Sequence, residues 1–224
     1  MKDNRTSQPA AEYDGNIEKT MPYYAAFHER TLDLIEVIKP APAAWLDTGA
    51  GTGTFVKKAL ARFPEASFVA ADPSSAMLKI AKVKLAGADC AFVQQPTEEL
   101  ALPDDSFDVV TAILSHHYYS AAAGKKKAVA NCLRMLKPQG VYVSFESFLP
   151  ATQAGMDIAL ACWRKAQLAA GKEEKSVDKY LSRCGTEFFP ATLTENVRLL
   201  QETGFSVVEL FWLSGMQAGI YAIK

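Results

Sequence analysis

The sequence predicts an α/β fold: a mostly parallel sheet of seven strands with an antiparallel C-terminal strand, helices on both faces and a helical cap. Three observations predict it. Short apolar runs alternate with amphipathic segments from residue 43 to residue 148. A glycine-rich turn, Asp47-Thr48-Gly49-Ala50-Gly51-Thr52-Gly53, joins the first apolar run to the amphipathic segment after it. Two apolar runs near the C-terminus are separated only by Ser214-Gly215. Repeated β–α order builds parallel sheets covered on both faces, and glycine in so short a link marks a hairpin.

The elements follow in order. Residues 1–15 are polar, carry both signs of charge and read as a flexible tail. From Ile17 to Ile38 the period is helical, with Leu32, Ile35 and Ile38 on one face. Lys39-Pro40-Ala41-Pro42 ends that helix, because proline cannot continue the hydrogen-bond ladder and restricts the residue before it. Ala43–Leu46 is a strand and Gly53–Phe63 a helix; Ser67–Ala71 and Ser74–Ala86 repeat the pair. Cys90–Val93 and Phe107–Leu114 are strands, and Ala121–Leu136 is a helix whose Lys125-Lys126-Lys127 run is expected to face water. Val141–Phe148 is a fifth strand. Residues 151–183 read as mostly helical with a charged middle, and Thr192–Thr203 is a helix stopped by Gly204. Phe205–Leu213 and Met216–Ile223 form the hairpin. No domain boundary is predicted: residues 1–224 are one domain, 1–40 an N-terminal helical segment and 151–190 an insertion capping the sheet edge.

Composition narrows the function classes. Of 224 residues 49% are apolar and 22% charged, and the net charge is -1, so no global field draws in nucleic acid or a membrane. The N-terminus lacks the apolar stretch of a secretion signal. No apolar run approaches the roughly 20 residues of a membrane span. Cysteines 90, 132, 162 and 184 form no CxxC pair, which points to free thiols in a cytoplasmic protein and to no metal site.

The glycine-rich turn carries the chemistry. Alternating glycines permit a sharp turn and a close ligand approach, and the N–H groups of a helix start follow. Such turns commonly hold a pyrophosphate. Here Asp47 precedes the glycines, and a carboxylate repels pyrophosphate but suits an ammonium group. That argues against a nicotinamide-dependent oxidoreductase. Asp72 ends the next strand, 19 residues past Gly53. An acid there accepts both hydroxyls of a ribose, or caps the next helix, a role also open to Ser74 or Ser75.

In these motifs the chain resembles the class I S-adenosylmethionine-dependent methyltransferases, over about residues 43–148 and the terminal hairpin. Phe107-Asp108-Val109-Val110 and the Leu136-Lys137-Pro138-Gln139-Gly140 turn resemble later motifs of that family. The resemblance implies S-adenosylmethionine as cofactor, held by Asp47, Gly49, Ala50, Gly51, Gly53, Asp72, Pro73, Met77, Gln95, Thr97 and Leu114. The chain departs from the pattern where the family places an acid near the adenine. Pro96 stands there, which leaves the adenine to Gln95 and the N–H of Thr97. Met21-Pro22-Tyr23-Tyr24, and the order Glu146, Arg183, Thr192–Glu195, Gly204-Phe205, Trp212, are similar to carboxy-S-adenosylmethionine synthases. That likeness implies that Tyr24 and Arg183 line the active site, with Arg183 facing a carboxylate.

Methyl transfer from a sulfonium asks mainly for alignment, and for a base where the acceptor loses a proton. His116 and His117 follow the fourth strand at the carboxyl edge of the sheet, where ligands bind. One of them is a candidate base, or both pack structurally. Adjacent side chains diverge, so the pair does not suit a single metal. Tyr118 and Tyr119 are candidate walls of the acceptor site, or core aromatics. Glu146 either meets the acceptor or pairs with Arg183 or Arg164, since a buried carboxylate needs a partner. The expected function is methyl transfer to a small-molecule acceptor. The alternative is a carboxy-S-adenosylmethionine synthase-like enzyme of tRNA wobble-uridine modification, for which the charge balance offers no nucleic-acid stripe. Monomer and homodimer remain equally open.

Overall fold

A computed structural model describes residues 4–224. Seven strands form one sheet: β1 (Ala44–Thr48), β2 (Ser67–Ala71), β3 (Cys90–Val93), β4 (Phe107–Ile113), β5 (Leu136–Ser147), β6 (Val207–Ser214) and β7 (Gln217–Ile223). Their order is β3-β2-β1-β4-β5-β7-β6. β1 pairs in parallel with both β2 and β4, and β7 runs antiparallel to β5 and β6. The chain reverses direction across the sheet between β1 and β4, and the crevice at such a switch point takes ligands. The sheet is the seven-stranded, mostly parallel one that the sequence predicts.

Helices α1 (Ala10–Thr20) and α2 (Tyr24–Ile38) precede β1. α3 (Thr54–Arg62), α4 (Ser75–Lys84) and α5 (Ala122–Met135) connect the parallel strands. α6 (Gln153–Ala169), α7 (Glu174–Leu181) and α8 (Leu193–Thr203) lie between β5 and β6. The sheet is buried on both faces because neighbouring strand residues point opposite ways. Trp45 and Val109 pack with Ile35, Val56 and Phe68 on one side. Leu46 and Val110 pack with Met135, Tyr142 and Leu200 on the other. α8 opens on a capping box between Thr192 and Glu195, and Gly204 at φ 115° closes it.

Three expectations need correction. The N-terminal helix is two helices, not one from Ile17 to Ile38. Pro22 lacks an N–H, and Tyr23 sits at φ 63°, in the left-handed region that ends a helical run. Much of the supposed tail is part of the fold: α1 starts at Ala10, and only residues 1–3 of that segment lie outside the described residues. Asp14 explains why. Its carboxylate pairs with Lys84 Nζ at 2.7 Å and accepts hydrogen bonds from Thr52 Oγ1 (2.6 Å) and Thr54 Oγ1 (3.1 Å). Finally, Lys125 is buried and does not share the solvated face expected for the lysine run.

At the carboxyl edge of the sheet a third apolar cluster joins α1, α2 and the cap. Phe27 stacks on Phe145 at 4.7 Å, and Trp163 and Phe188 pack nearby. Trp163 Nε1 donates to the Thr20 carbonyl at 2.8 Å, which ties α6 to the end of α1. Residues of the 151–190 segment thus meet the N-terminal helices at this edge. Among the described residues, no helix is long and apolar enough to cross a membrane.

Candidate active site

The turn after β1 is tied to the end of β2. Gly49 and Ala50 donate their N–H groups to the Ala71 carbonyl at 2.7 and 3.0 Å. Gly49 (φ 75°) is required for close approach: a Cβ there would stand 2.3 Å from Ser115 Cβ, in the turn after β4. Gly51 (φ 54°) is different, because a Cβ there would meet nothing within 4 Å. Its open side is the cavity. Asp72 faces the same space, 8% exposed. Its Oδ2 accepts from Gly51 N–H at 2.9 Å and its Oδ1 from Ser74 N–H at 2.8 Å. The cap of α4 belongs to Ser74, whose Oγ accepts from Met77 N–H at 3.1 Å.

The cavity encloses about 440 Å³ at the β1/β4 switch point. Of the residues singled out in the sequence, Gly49, Gly51, Asp72, Pro73, Met77, Thr97, Leu114 and Tyr118 line it. Asp47, Ala50, Gly53 and Gln95 are not in its wall. Gly53 instead caps α3 at φ 76°. The wall also contains Tyr119, named with Tyr118 from the sequence, and Tyr13, Glu98 and Ser115, which sequence reasoning missed. Tyr13 fell in the supposed tail, although its spacing from Ile17 is helical. Glu98 lies two residues past the Pro96 departure and accepts a hydrogen bond from the Tyr119 hydroxyl. Asn131 Nδ2 braces this wall by donating to the carbonyls of Thr97 (2.7 Å) and Leu100 (3.0 Å).

The turn after β4 hangs on one carboxylate. Glu146 is 2% exposed. Its Oε1 accepts from the N–H groups of Ser115 (3.2 Å) and His116 (2.8 Å), and its Oε2 from that of His117 (3.2 Å). His117 Nδ1 also lies 2.6 Å from Oε2, near in distance but not aligned as a hydrogen bond. Burial pushes the Glu146 carboxyl up, yet His117, His116 and Lys125 outweigh it and hold the group below the usual carboxylate range. Leu114, just before this turn, is held at φ 52° with its N–H on the Phe145 carbonyl at 2.7 Å.

The three candidates for chemistry are thus placed differently. Glu146 does not face the cavity and pairs with neither arginine. Arg164 pairs with Asp178 and Glu174, and Arg183 with Glu187. His116 also lies behind the wall, its Nδ1 3.0 Å from the Tyr142 hydroxyl, and burial pushes its pKa down to about 4. His117 lines a small side cavity of about 20 Å³ whose other walls include Tyr13, Leu114 and Tyr118. Those three residues also line the large cavity, so the small one adjoins it as a neck beside the wall. Nδ1 lies against Glu146, which leaves Nε2 as the other ring nitrogen.

Tyr24 and Arg183 stand outside the large cavity. The Tyr24 ring packs 4.6 Å from that of His28, and its hydroxyl bonds to Tyr13, which does line the cavity. Arg183 donates from Nη2 to the Arg5 carbonyl at 2.8 Å. Among the described residues, no group of three His, Cys, Asp or Glu is placed to hold a metal ion, and all four cysteines are free.

Asp47 lies beneath the turn, its carboxylate accepting from Thr111 Oγ1 at 2.5 Å. Burial pushes its pKa up to about 7, Thr111 pulls it down and the charge of Asp72 raises it again. Folding therefore favours the protonated form. The stability this confers is present at low pH and is lost as pH rises from about 4 through about 7. Asp47→Asn removes that dependence. Urea unfolding of the ligand-free protein should find the variant a few kcal/mol more stable than the parent at pH 8, with the gap closing toward pH 5. A gap independent of pH would contradict the assignment.

The comparisons with known proteins agree with this geometry. The family model described as methyltransferase domain matches residues 46–140. The demethylmenaquinone methyltransferase of Clavibacter sepedonicus is 31% identical over 182 residues, which cover 80% of this chain and 70% of that protein. The carboxy-S-adenosyl-L-methionine synthase of Staphylococcus epidermidis is 21% identical over 98% of this chain and 96% of its own length. The solved plantazolicin methyltransferase BpumL, a complex with S-adenosylhomocysteine, shares the fold with a TM-score of 0.71 at 13% identity, covering 97% of this chain and 91% of that one. The chain spans about half the length of the first curated relatives it matches, 47% and 43%. The glycine-rich turn lies within the matched residues, and the chain belongs to the class I S-adenosylmethionine-dependent methyltransferase family.

Proposed function

We propose that this chain binds S-adenosylmethionine in the large cavity and transfers its methyl group to a small-molecule acceptor. One observation carries the reading: a single cavity has the open face of Gly51 and the Asp72 carboxylate in its wall, together with Leu114 and Tyr118 beside the neck. Its volume of about 440 Å³ lies within the range of roughly 300–1,000 Å³ for small-ligand sites.

The residues fit the cofactor. A side chain at Gly51 would fill space that the ligand needs. Asp72 has two oxygens for two ribose hydroxyls. Asp72, Glu98 and Glu99 outnumber Arg5 in the lining, and this acidic excess favours a ligand with a sulfonium and an ammonium group. When bound, S-adenosylmethionine supplies a methyl group already activated for transfer. The chain then has to orient the acceptor, exclude water and take a proton. Tyr13 and Tyr118 close the site between cavity and neck. His117 takes the proton of an acceptor hydroxyl or amine at Nε2, while Glu146 holds the ring through the contact at Nδ1 and stabilises the imidazolium. Glu146 and His116 are positioning residues in this account. Arg183, engaged by Glu187 and the Arg5 carbonyl outside the cavity, does not favour a carboxylated cofactor.

Calorimetry with S-adenosylhomocysteine tests the cofactor site. Asp72→Ala should weaken binding about tenfold or more, the cost of lost hydrogen bonds to a charged group. Unchanged affinity would overturn the assignment. Mass spectrometry of co-purifying cofactor should find no extra carboxylate, and finding one would favour the synthase reading. In methyl-transfer assays against a panel of small hydroxylated acceptors, His117→Gln should lower kcat about 100-fold while S-adenosylhomocysteine affinity is kept. Parallel loss of both would mark His117 as structural only.

A further inference from the structure

The cap holds a cavity of about 340 Å³ that the cofactor site does not use. Lys172, Lys179 and Arg183 line it, and Glu187 is the one carboxylate among its lining residues. Glu187 is already engaged, since its Oε2 accepts from Arg183 Nε at 2.8 Å. Arg183 is itself only 5% exposed. Nearby Asp178 and Glu174 turn to Arg164. Among the described residues, neither Lys172 nor Lys179 has a carboxylate within ion-pair distance. Lys172 is half-buried, with Nζ on Thr20 Oγ1 at 2.8 Å and 5.4 Å from the centre of the Tyr180 ring. Burial pushes its pKa down, so its charge is held at a cost that a bound anion would offset.

The position of this cavity gives it a use. Ser7, Gln8 and Tyr180 line both it and the neck that contains His117. The neck in turn shares Tyr13, Leu114 and Tyr118 with the cofactor cavity. The three spaces therefore form a series, acidic at one end and basic at the other. We propose that the basic cavity seats an anionic group of the methyl acceptor, a carboxylate or a phosphate, while the acceptor's nucleophile enters the neck beside His117. The proposal rests on the methyltransferase reading above. Lys172 and Lys179 bring positive charge with no carboxylate of their own to meet either anion, and the tyrosines of the neck suit a flat, apolar body between the two ends. The neck is narrow, at about 20 Å³. Its outer wall is the segment at residues 6–8. That segment is fastened by Arg5 Nη1 on the Tyr118 carbonyl (2.9 Å) and Arg183 Nη2 on the Arg5 carbonyl (2.8 Å).

The test is calorimetry on the full chain, first with S-adenosylhomocysteine and then, at saturation, with benzoate, phenyl phosphate and the neutral benzamide. One of the two anions should bind about tenfold tighter than benzamide or better, the scale of a charge-assisted contact. Whichever binds identifies the anion. A Lys172→Gln/Lys179→Gln variant should lose that preference and keep its S-adenosylhomocysteine affinity, which also reports correct folding. Benzamide binding as well as both anions, or a double variant that behaves like the parent, would overturn the proposal alone. Absence of S-adenosylhomocysteine binding would overturn the cofactor reading and this proposal with it.

Discussion

The carboxylate of Glu146, buried at the end of β5 and bonded to three successive N–H groups, is the constraint on which the site depends. A charge removed from water is costly unless hydrogen bonds satisfy it. Here the turn after β4 supplies them, so the carboxylate and the turn stabilise each other. β5 fixes the carboxylate in turn, because Glu146 lies opposite Ala218 in the β5–β7 ladder while Phe145 lies opposite Ile113 of β4. The turn sets Leu114, Ser115 and Tyr118 in the cavity wall. Through Ser115 it also sets how closely the glycine turn can approach, since any side chain at Gly49 would collide there.

The N-terminal helices complete what the sheet begins. α1 is held to the cofactor turn by Asp14, with Lys84, Thr52 and Thr54 as its partners. It is held to the cap by Thr20, which meets Trp163 and Lys172. Tyr13, next to the Asp14 anchor, lines both cavity and neck. Wall, roof and cap are thus fastened to one another by polar contacts at a few residues, with the aromatic cluster around Phe27 and Phe145 beneath them.

Much of this was legible in the sequence, for reasons that differ by region. β1 to β5 announce themselves because each is a short apolar run between helical segments, and the Asp47–Gly53 turn because its glycines have few other uses. Gly51 and Asp72 could be singled out from the turn and the strand end alone, and both line the cavity. What could not be read depends on contacts between distant segments. Asp14 and Tyr13 look like tail residues until Lys84 and Tyr24 are placed beside them. Glu146 could be recognised as a carboxylate that needs a partner. That its partners are backbone N–H groups and not an arginine follows from the register of β4 on β5. Lys125 reads as one of three solvated lysines, and only the packing of α5 sets it apart.

The central claim is that one cavity joins the Gly51–Asp72 end to the neck at His117. A crystal structure of the complex with S-adenosylhomocysteine tests it most directly. The account predicts both ribose hydroxyls on the Asp72 carboxylate, and the sulfur facing Leu114 and Tyr118 at the opening of the neck. A ligand bound away from Asp72, or one whose sulfur faces away from the neck, would contradict it.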